Sequence, residues 1–238
     1  MSYRISFIVL IFLSSTVKSQ ECVDFIDAFR IKMESMTSKN LVSPILLDYE
    51  VHIEFNDNRP GIKDRQSQRI KSYVYKGGFT IIHDALTIVC DNNYMYSLIP
   101  YSNKILKKRY DNSKSTSEES FLKNQNDLFA SIIFEECSSV DLDGSPVKKI
   151  KYRPNQELNK SSGINSITYY YSLDEKRIVL VDFHYHDNSK IKRKTIEYHA
   201  LTECKTQDIP FTVSDIVIPS SQKLNPKYAS YEIISFEQ

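Results

Sequence analysis

The sequence predicts a mainly β fold, α+β with few helices, and three observations predict it. Between Ser67 and Tyr110 strand-like runs follow one another with almost nothing but turns between them. A second series of such runs fills Phe134–Leu201, opening on a hairpin around Asp143-Gly144. Only two stretches carry a helix signal, too few to build parallel βαβ units. About ten or eleven neighbouring strands hide their edges by curling, closing or splitting. The expected architecture is therefore a strongly curved antiparallel sheet or incomplete barrel, with helices packed on the concave face.

The chain has 238 residues. Arg4 supplies a positive start, Ile5–Leu13 an apolar run, and Val17-Lys18-Ser19 small residues before a cut ahead of Gln20, which is the pattern of an export signal over residues 1–19. The competing reading is a membrane anchor, but the apolar run is well short of the roughly 20 residues a crossing needs. No later stretch is long or apolar enough to span, so residues 20–238 are expected as one exported domain, periplasmic or extracellular, and a monomer. Cleavage removes Arg4 and Lys18 and no acidic residue, taking the formal charge from +1 to −1. Near-neutrality argues against a nucleic-acid partner, which would show as a basic excess on one face.

Cys22, Phe25, Ile26, Phe29, Met33 and Met36 recur at helical spacing, predicting an amphipathic helix over Cys22–Met36. Over Leu47–Phe55 the odd-numbered residues are apolar, while Asp48, Glu50, His52 and Glu54 face water. The polar run Asn56–Gly61 is a loop by turn chemistry. Next come Arg69–Lys76, the Gly77-Gly78 turn, Phe79–His83, Leu86–Cys90, Tyr94–Ile99 and Lys104–Arg109, which read as an antiparallel meander. Its polar face carries Tyr94 and Tyr96, and Lys104, Lys107, Lys108 and Arg109 suit a solvated edge. Ser117 with Glu118 and Glu119 starts a second helix reaching Ile132.

Phe134–Leu142 and Val147–Arg153 flank the Asp143-Gly144 turn, and Ile167–Leu173, Ile178–His186 and Lys192–Leu201 continue as strands. Phe211–Ile218 and Tyr231–Phe236 read as extended segments around a proline-marked bend.

The four cysteines, Cys22, Cys90, Cys137 and Cys204, are spread along the chain without a CxxC pair. Two disulfides are plausible in an oxidising compartment, in any of three connectivities. Buried thiols packing as small apolar groups are the alternative.

The order of elements carries a resemblance. Its matching pieces are the helix Cys22–Met36, the strand Leu47–Phe55 and the succession from Tyr73-Val74-Tyr75-Lys76-Gly77-Gly78-Phe79 to Asn92-Asn93-Tyr94-Met95-Tyr96. Together with the export segment ending Ser19-Gln20, this resembles the periplasmic lipoprotein carrier family, the LolA/LolB-like fold, in a diverged form of Bacteroidetes type. The resemblance implies an incomplete barrel around an apolar cavity able to hold acyl chains. Two departures stand: no residue matches the carrier's lid-locking arginine, and no lipobox is present.

A cavity behind the sheet would be lined by inner-face residues such as Val51, Ile53, Phe55, Ile81, Ile88 and Leu98. The same residues read identically if the helices fill the space. The sharpest chemical cluster is Asp182-Phe183-His184-Tyr185-His186, where alternation sets Asp182, His184 and His186 on one face, close enough for the two imidazoles to share a metal such as zinc. Against that, Val179, Val181, Phe183 and Tyr185 form the core side, and the histidines then face water. No nucleophile elbow, zinc-protease motif or nucleotide-binding loop occurs, and no catalytic residue or cofactor is assigned.

The leading expectation is an exported, non-enzymatic binding protein holding a lipid acyl chain or a lipid-modified polypeptide. The alternatives are an envelope sensor or protein-interaction module using the tyrosine-rich surface, and, behind both, a metal-dependent hydrolase using His184 and His186.

Overall fold

The computed structural model describes residues 20–32, 41–56, 64–110, 128–218 and 223–236. The export segment, Met33 and Met36, residues 57–61 of the expected loop and residues 118–127 of the expected second helix lie outside them. No helix among the described residues is long and apolar enough to cross a membrane.

The strands of the first series are β1 (Ile45–Phe55), β2 (Arg65–Tyr75), β3 (Gly78–His83), β4 (Leu86–Cys90), β5 (Tyr94–Ile99) and β6 (Lys104–Arg109). The second series is β7 (Ile132–Leu142), β8 (Ser145–Pro154), β9 (Ile164–Ser172), β10 (Arg177–Tyr185) and β11 (Ile191–Glu203). Two-residue strands β12 (Val217–Ile218) and β13 (Lys223–Leu224) pair with each other, and β14 (Glu232–Phe236) follows. Helix α1 covers residues 20–32, α2 is Gln156–Ser162 and α3 is Val213–Ile216. Hydrogen-bonded neighbours run β14-β6-β5-β4-β3-β2-β1-β11-β10-β9-β8-β7. The end strands do not pair with each other among the described residues, so the large, mainly antiparallel sheet is unclosed.

Both meanders form as consecutive antiparallel neighbours, held by local turns. Asp143 and Gly144 both take positive φ, 53° and 84°, the mirror-image turn whose twist suits a two-residue hairpin. Asn103 turns β5 into β6 in the left-handed region at φ 50°. Two expectations change. Ile132 begins β7 and is not the end of a helix, although residues 128–130 before it are helical. The basic strand β6 is no edge: β14 lies parallel beside it, with Glu232 opposite Lys104. Helix α2 is one the apolar periodicity misses. Asn155 caps its N-terminus by accepting from the Leu158 N–H at 2.9 Å, and Gly163 closes it at φ 70°.

The chain divides into two compact units, and the division falls within β1, β2 and β11. The first contains the described residues 20–32, 52–56, 64–66 and 128–197. Its core side is built from Ile150, Tyr152, Ile167, Tyr169, Ile178 and Val181, all buried. Helix α1 presents Cys22, Ile26 and Phe29, also buried, and Cys22 is disulfide-bonded to Cys137 on β7. One turn on, Phe25 stacks on Tyr171 of β9 with ring centroids 4.1 Å apart.

The second unit contains residues 41–51, 67–110, 198–218 and 223–236. Cross-strand register sets its faces. Val89 faces Tyr96 and Leu98 faces Ile105, and Ile216 of α3 completes their fully buried cluster. Phe211, Tyr228 and Tyr231 pack around it. Buried Thr80 donates its hydroxyl to the Phe211 carbonyl at 2.7 Å, pinning the C-terminal segment to β3. Burying each such aliphatic side chain contributes about 1.5–3 kcal/mol. The tyrosine-bearing face of the meander is therefore a covered one. Tyr96 is 3% exposed, and Lys107 lies 4.1 Å above the Tyr94 ring.

Candidate functional site

In the first unit, α1 does not fill all the space behind β7 and β8. A cavity of about 350 Å³ remains, lined by Val23, Ile26, Phe129, Ala130, Ile132 and Tyr152, with the charged pair Asp27 and Arg30 completing the wall. Only Ile26 comes from the apolar repeat of α1; the other helix residues flank it. Val23, Ile26, Asp27 and Arg30 recur at three- and four-residue spacing on one flank of α1. Ile132 opens β7 opposite Pro154, and Tyr152 stands on β8.

The walls are braced. Tyr152 meets Phe134 and Tyr169 edge-to-face, both at 5.8 Å, and Phe129 stacks on Tyr169 at 6.3 Å. Burial, with a smaller push from Asp27, raises the Tyr152 hydroxyl to about 12, so the phenol stays neutral at any physiological pH. Arg30 and Asp27 touch at 3.5 Å across one helical turn, a partly exposed pair of small energetic weight. The site can bury an apolar chain; it offers no nucleophile and base in contact.

None of the six residues expected to line a cavity lines this one. Ile81 sits opposite Ile88, and Ile88 opposite Ser97, which places Leu98 on the other face of β5, inside the Ile216 cluster. Ile81, Ile88 and Leu98 therefore cannot line one surface. Val51, Ile53 and Phe55 share one side of β1 by alternation and are half-buried.

The histidine pair separates. A register shift between Ile178 and Leu180 puts Ile178, not Val179, in phase with Val181 on the core side. Strand β10 ends at Tyr185 after a second shift, so His186 leaves the ladder and its Nε2 lies 3.1 Å from the Asn159 amide oxygen on α2. His184 instead lies against Asp182, Nε2 to Oδ2 at 3.1 Å. The expected common face of Asp182, His184 and His186 fails at its last member, and no group of three or more potential metal ligands gathers among the described residues.

Asp182 was expected on a wet face, yet it is 2% exposed. Arg193 of β11 donates from Nε to Oδ1 at 2.7 Å and from Nη2 to Oδ2 at 2.8 Å, and Thr195 adds its hydroxyl at 3.2 Å. With His184 these contacts occupy the carboxylate on all sides. Asp48, also assigned to water by alternation, is 6% exposed and held the same way in the second unit, by Arg69 at 3.0 and 2.9 Å.

Of the cysteines, one disulfide forms, Cys22–Cys137, while Cys90 and Cys204 are thiols. Cys90, one of the four disulfide candidates, is buried in β4 with Sγ 3.3 Å from the Asp91 carbonyl.

No family model matches the chain, and no curated protein does. Among solved structures, a conserved uncharacterised protein from Thermus thermophilus is similar at 10% identity and a TM-score of 0.42, covering 86% of this chain and 97% of its own. The Mycobacterium tuberculosis lipoprotein LppX is similar at 9% identity and 0.39, over 75% and 97%. A LolA superfamily protein from Nitrosomonas europaea is similar at 7% identity and 0.29, over 75% of this chain and 93% of that one.

Proposed function

We propose that this is an exported, non-enzymatic binding protein that takes one acyl chain, of a lipid or of a lipid-modified polypeptide, into the cavity between α1 and strands β7 and β8. The observation that carries the reading is the apolar lining of that cavity by Val23, Ile26, Phe129, Ile132 and Tyr152. Pockets that hold small molecules run from roughly 300 to 1,000 Å³. At about 350 Å³ this one suits a single chain. Each methylene it removes from water contributes about 0.8 kcal/mol, so about ten methylenes contribute roughly 8 kcal/mol before the cost of ordering the chain, with no charged contact required.

The Cys22–Cys137 bond supports export, because disulfides persist in oxidising compartments, and it fastens the helical wall to the strand wall. In this reading the chain from residue 20 onward acts as one domain. Delipidated, folded protein is expected to bind dansyl-labelled undecanoic acid, and lipid is expected in native mass spectra of the protein as purified. Ile26→Trp, which fills the cavity, is expected to weaken the probe at least about tenfold. Wild type that ignores the probe, or Ile26→Trp that binds like wild type, would remove the reading.

A further inference from the structure

The first unit holds a second cavity, of about 360 Å³, on the strand face that carries Asp182, and it is more polar than the first. Every residue of its lining bears a polar group. Hydroxyls come from Ser166, Thr168 and Tyr170, an amide from Asn165, and ammonium groups from Lys149 and Lys151, with Glu136, Asp182 and His184 completing it.

Register explains the arrangement. Glu136, Lys151, Thr168 and Asp182 stand directly opposite one another on β7, β8, β9 and β10. Lys149 and Tyr170 form the next row, and Ser166 and His184 the one on the other side. Hydrogen-bonding groups therefore recur about every 4.8 Å across the strands and about every 6.8 Å along them. The strands fix their backbones, so a ligand has to order only the long side chains of Glu136 and Lys149.

Most charges in this groove are already matched. Asp182 is saturated by Arg193, Thr195 and His184, and Lys151 reaches Glu135 at 3.1 Å. That leaves Lys149 and Glu136, one of each sign, with no ion pair among the described residues. A phosphate or carboxylate approaching Lys149 also meets Glu136, and a cation meets the reverse. A ligand with many neutral donors and acceptors satisfies both.

We infer that this groove binds a neutral saccharide, with Glu136 and Lys149 accepting from and donating to sugar hydroxyls beside Thr168 and Tyr170. Free glycan and glycolipid headgroup share this chemistry. The test exposes the full exported chain to a printed array of neutral mono- to tetrasaccharides, to vesicles of phosphatidylcholine with and without monogalactosyl diacylglycerol, and to inorganic phosphate. Binding to array sugars or only to the galactolipid vesicles is expected, and which of the two occurs identifies the source. Glu136→Gln, at an exposed position, and Lys149→Gln, at a half-buried one, are each expected to weaken it about tenfold while melting temperature and dansyl-undecanoate binding stay as in wild type. The inference is overturned if neither arm binds, if both variants bind like wild type, or if phosphate binds and competes with every sugar. Probe binding in the apolar cavity is read separately, so the failure of one site leaves the other standing.

Discussion

Arg193 closes on both carboxylate oxygens of Asp182 across the β10–β11 ladder, at 2.7 and 2.8 Å, while Asp182 is 2% exposed. The pair is bidentate, which is the strong geometry for arginine and carboxylate. Removing one partner leaves the other charge stranded, whereas removing both with apolar residues of similar size is close to neutral. Arg193→Ala is expected to cost about 2–3 kcal/mol in urea unfolding, less than a fully buried pair because the guanidinium keeps 40% exposure. Asp182→Leu with Arg193→Met should recover most of it. A loss below about 0.5 kcal/mol for Arg193→Ala would show that the clamp does not hold the ladder.

The Cys22–Cys137 disulfide closes a sequence separation of 115 residues. Long loops gain the most from closure, so Cys22→Ser is expected to cost about 2–4 kcal/mol. It should also weaken dansyl-undecanoate binding, since Ile26 one turn on would lose its anchorage. In a thiol assay Cys90 should react only after unfolding. Half-buried Cys204, its thiol raised by burial and by Asp208, should react slowly at neutral pH. Peptide mapping that finds Cys90 or Cys204 in a bridge would contradict the pairing.

Asp48 gives the fold a dependence on acid. Its hydrogen bonds from Arg69 hold the carboxyl below its usual value against the opposing effect of burial, with Lys71 and His199 adding to the lowering. A group whose folded pKa is depressed contributes stability that is complete above the unfolded value, near 3.9, and is lost as pH falls through the folded one. Wild type should therefore lose stability faster than Asp48→Asn between about pH 5 and pH 2, the two converging at the acid end. Parallel curves from chemical denaturation across that range would exclude Asp48 as the source.

Much of this was legible in the chain, and most of what was not depends on residues distant in sequence. Strands β4, β5 and β6 begin and end where turn residues require, because Asp91, Asn93 and Asn103 act on their immediate neighbours. Alternation also tells which residues of one strand share a face, as Tyr94, Tyr96 and Leu98 do. It does not tell which face is covered. That depends on Phe211, Ile216 and Tyr228, over a hundred residues away, and so Leu98 was grouped with Ile81 and Ile88. Burial of Asp48 and Asp182 was equally hidden, since each is covered by an arginine from a neighbouring strand whose register pattern alone does not supply. Helix α2 had a local signal in Asn155 and Gly163, but its single apolar residue, Leu158, left no periodicity to find. Whether a cavity lies between helix and sheet was left open by the pattern, because the flank of α1 that stays uncovered is decided by packing.

Two glycines separate backbone strain from steric closure. Gly144 sits at φ +84° with no atom within 4 Å of where a Cβ would stand. Gly144→Ala therefore meets only the left-handed penalty, about 1–2 kcal/mol. Gly78, at the start of β3, has ordinary backbone, but a Cβ there would land on the Cys90 carbonyl oxygen and press the Tyr75 ring at 2.9 Å. The β3–β4 ladder would have to part beside Phe79 and Cys90, which face each other. Gly78→Ala is accordingly expected to cost more than Gly144→Ala, about 3 kcal/mol or above. Hydrogen exchange should show the loss concentrated in β3 and β4 for Gly78→Ala and near the β7–β8 turn for Gly144→Ala. Equal melting temperatures for the two variants would mean that β3 and β4 have room that the register of the sheet does not allow.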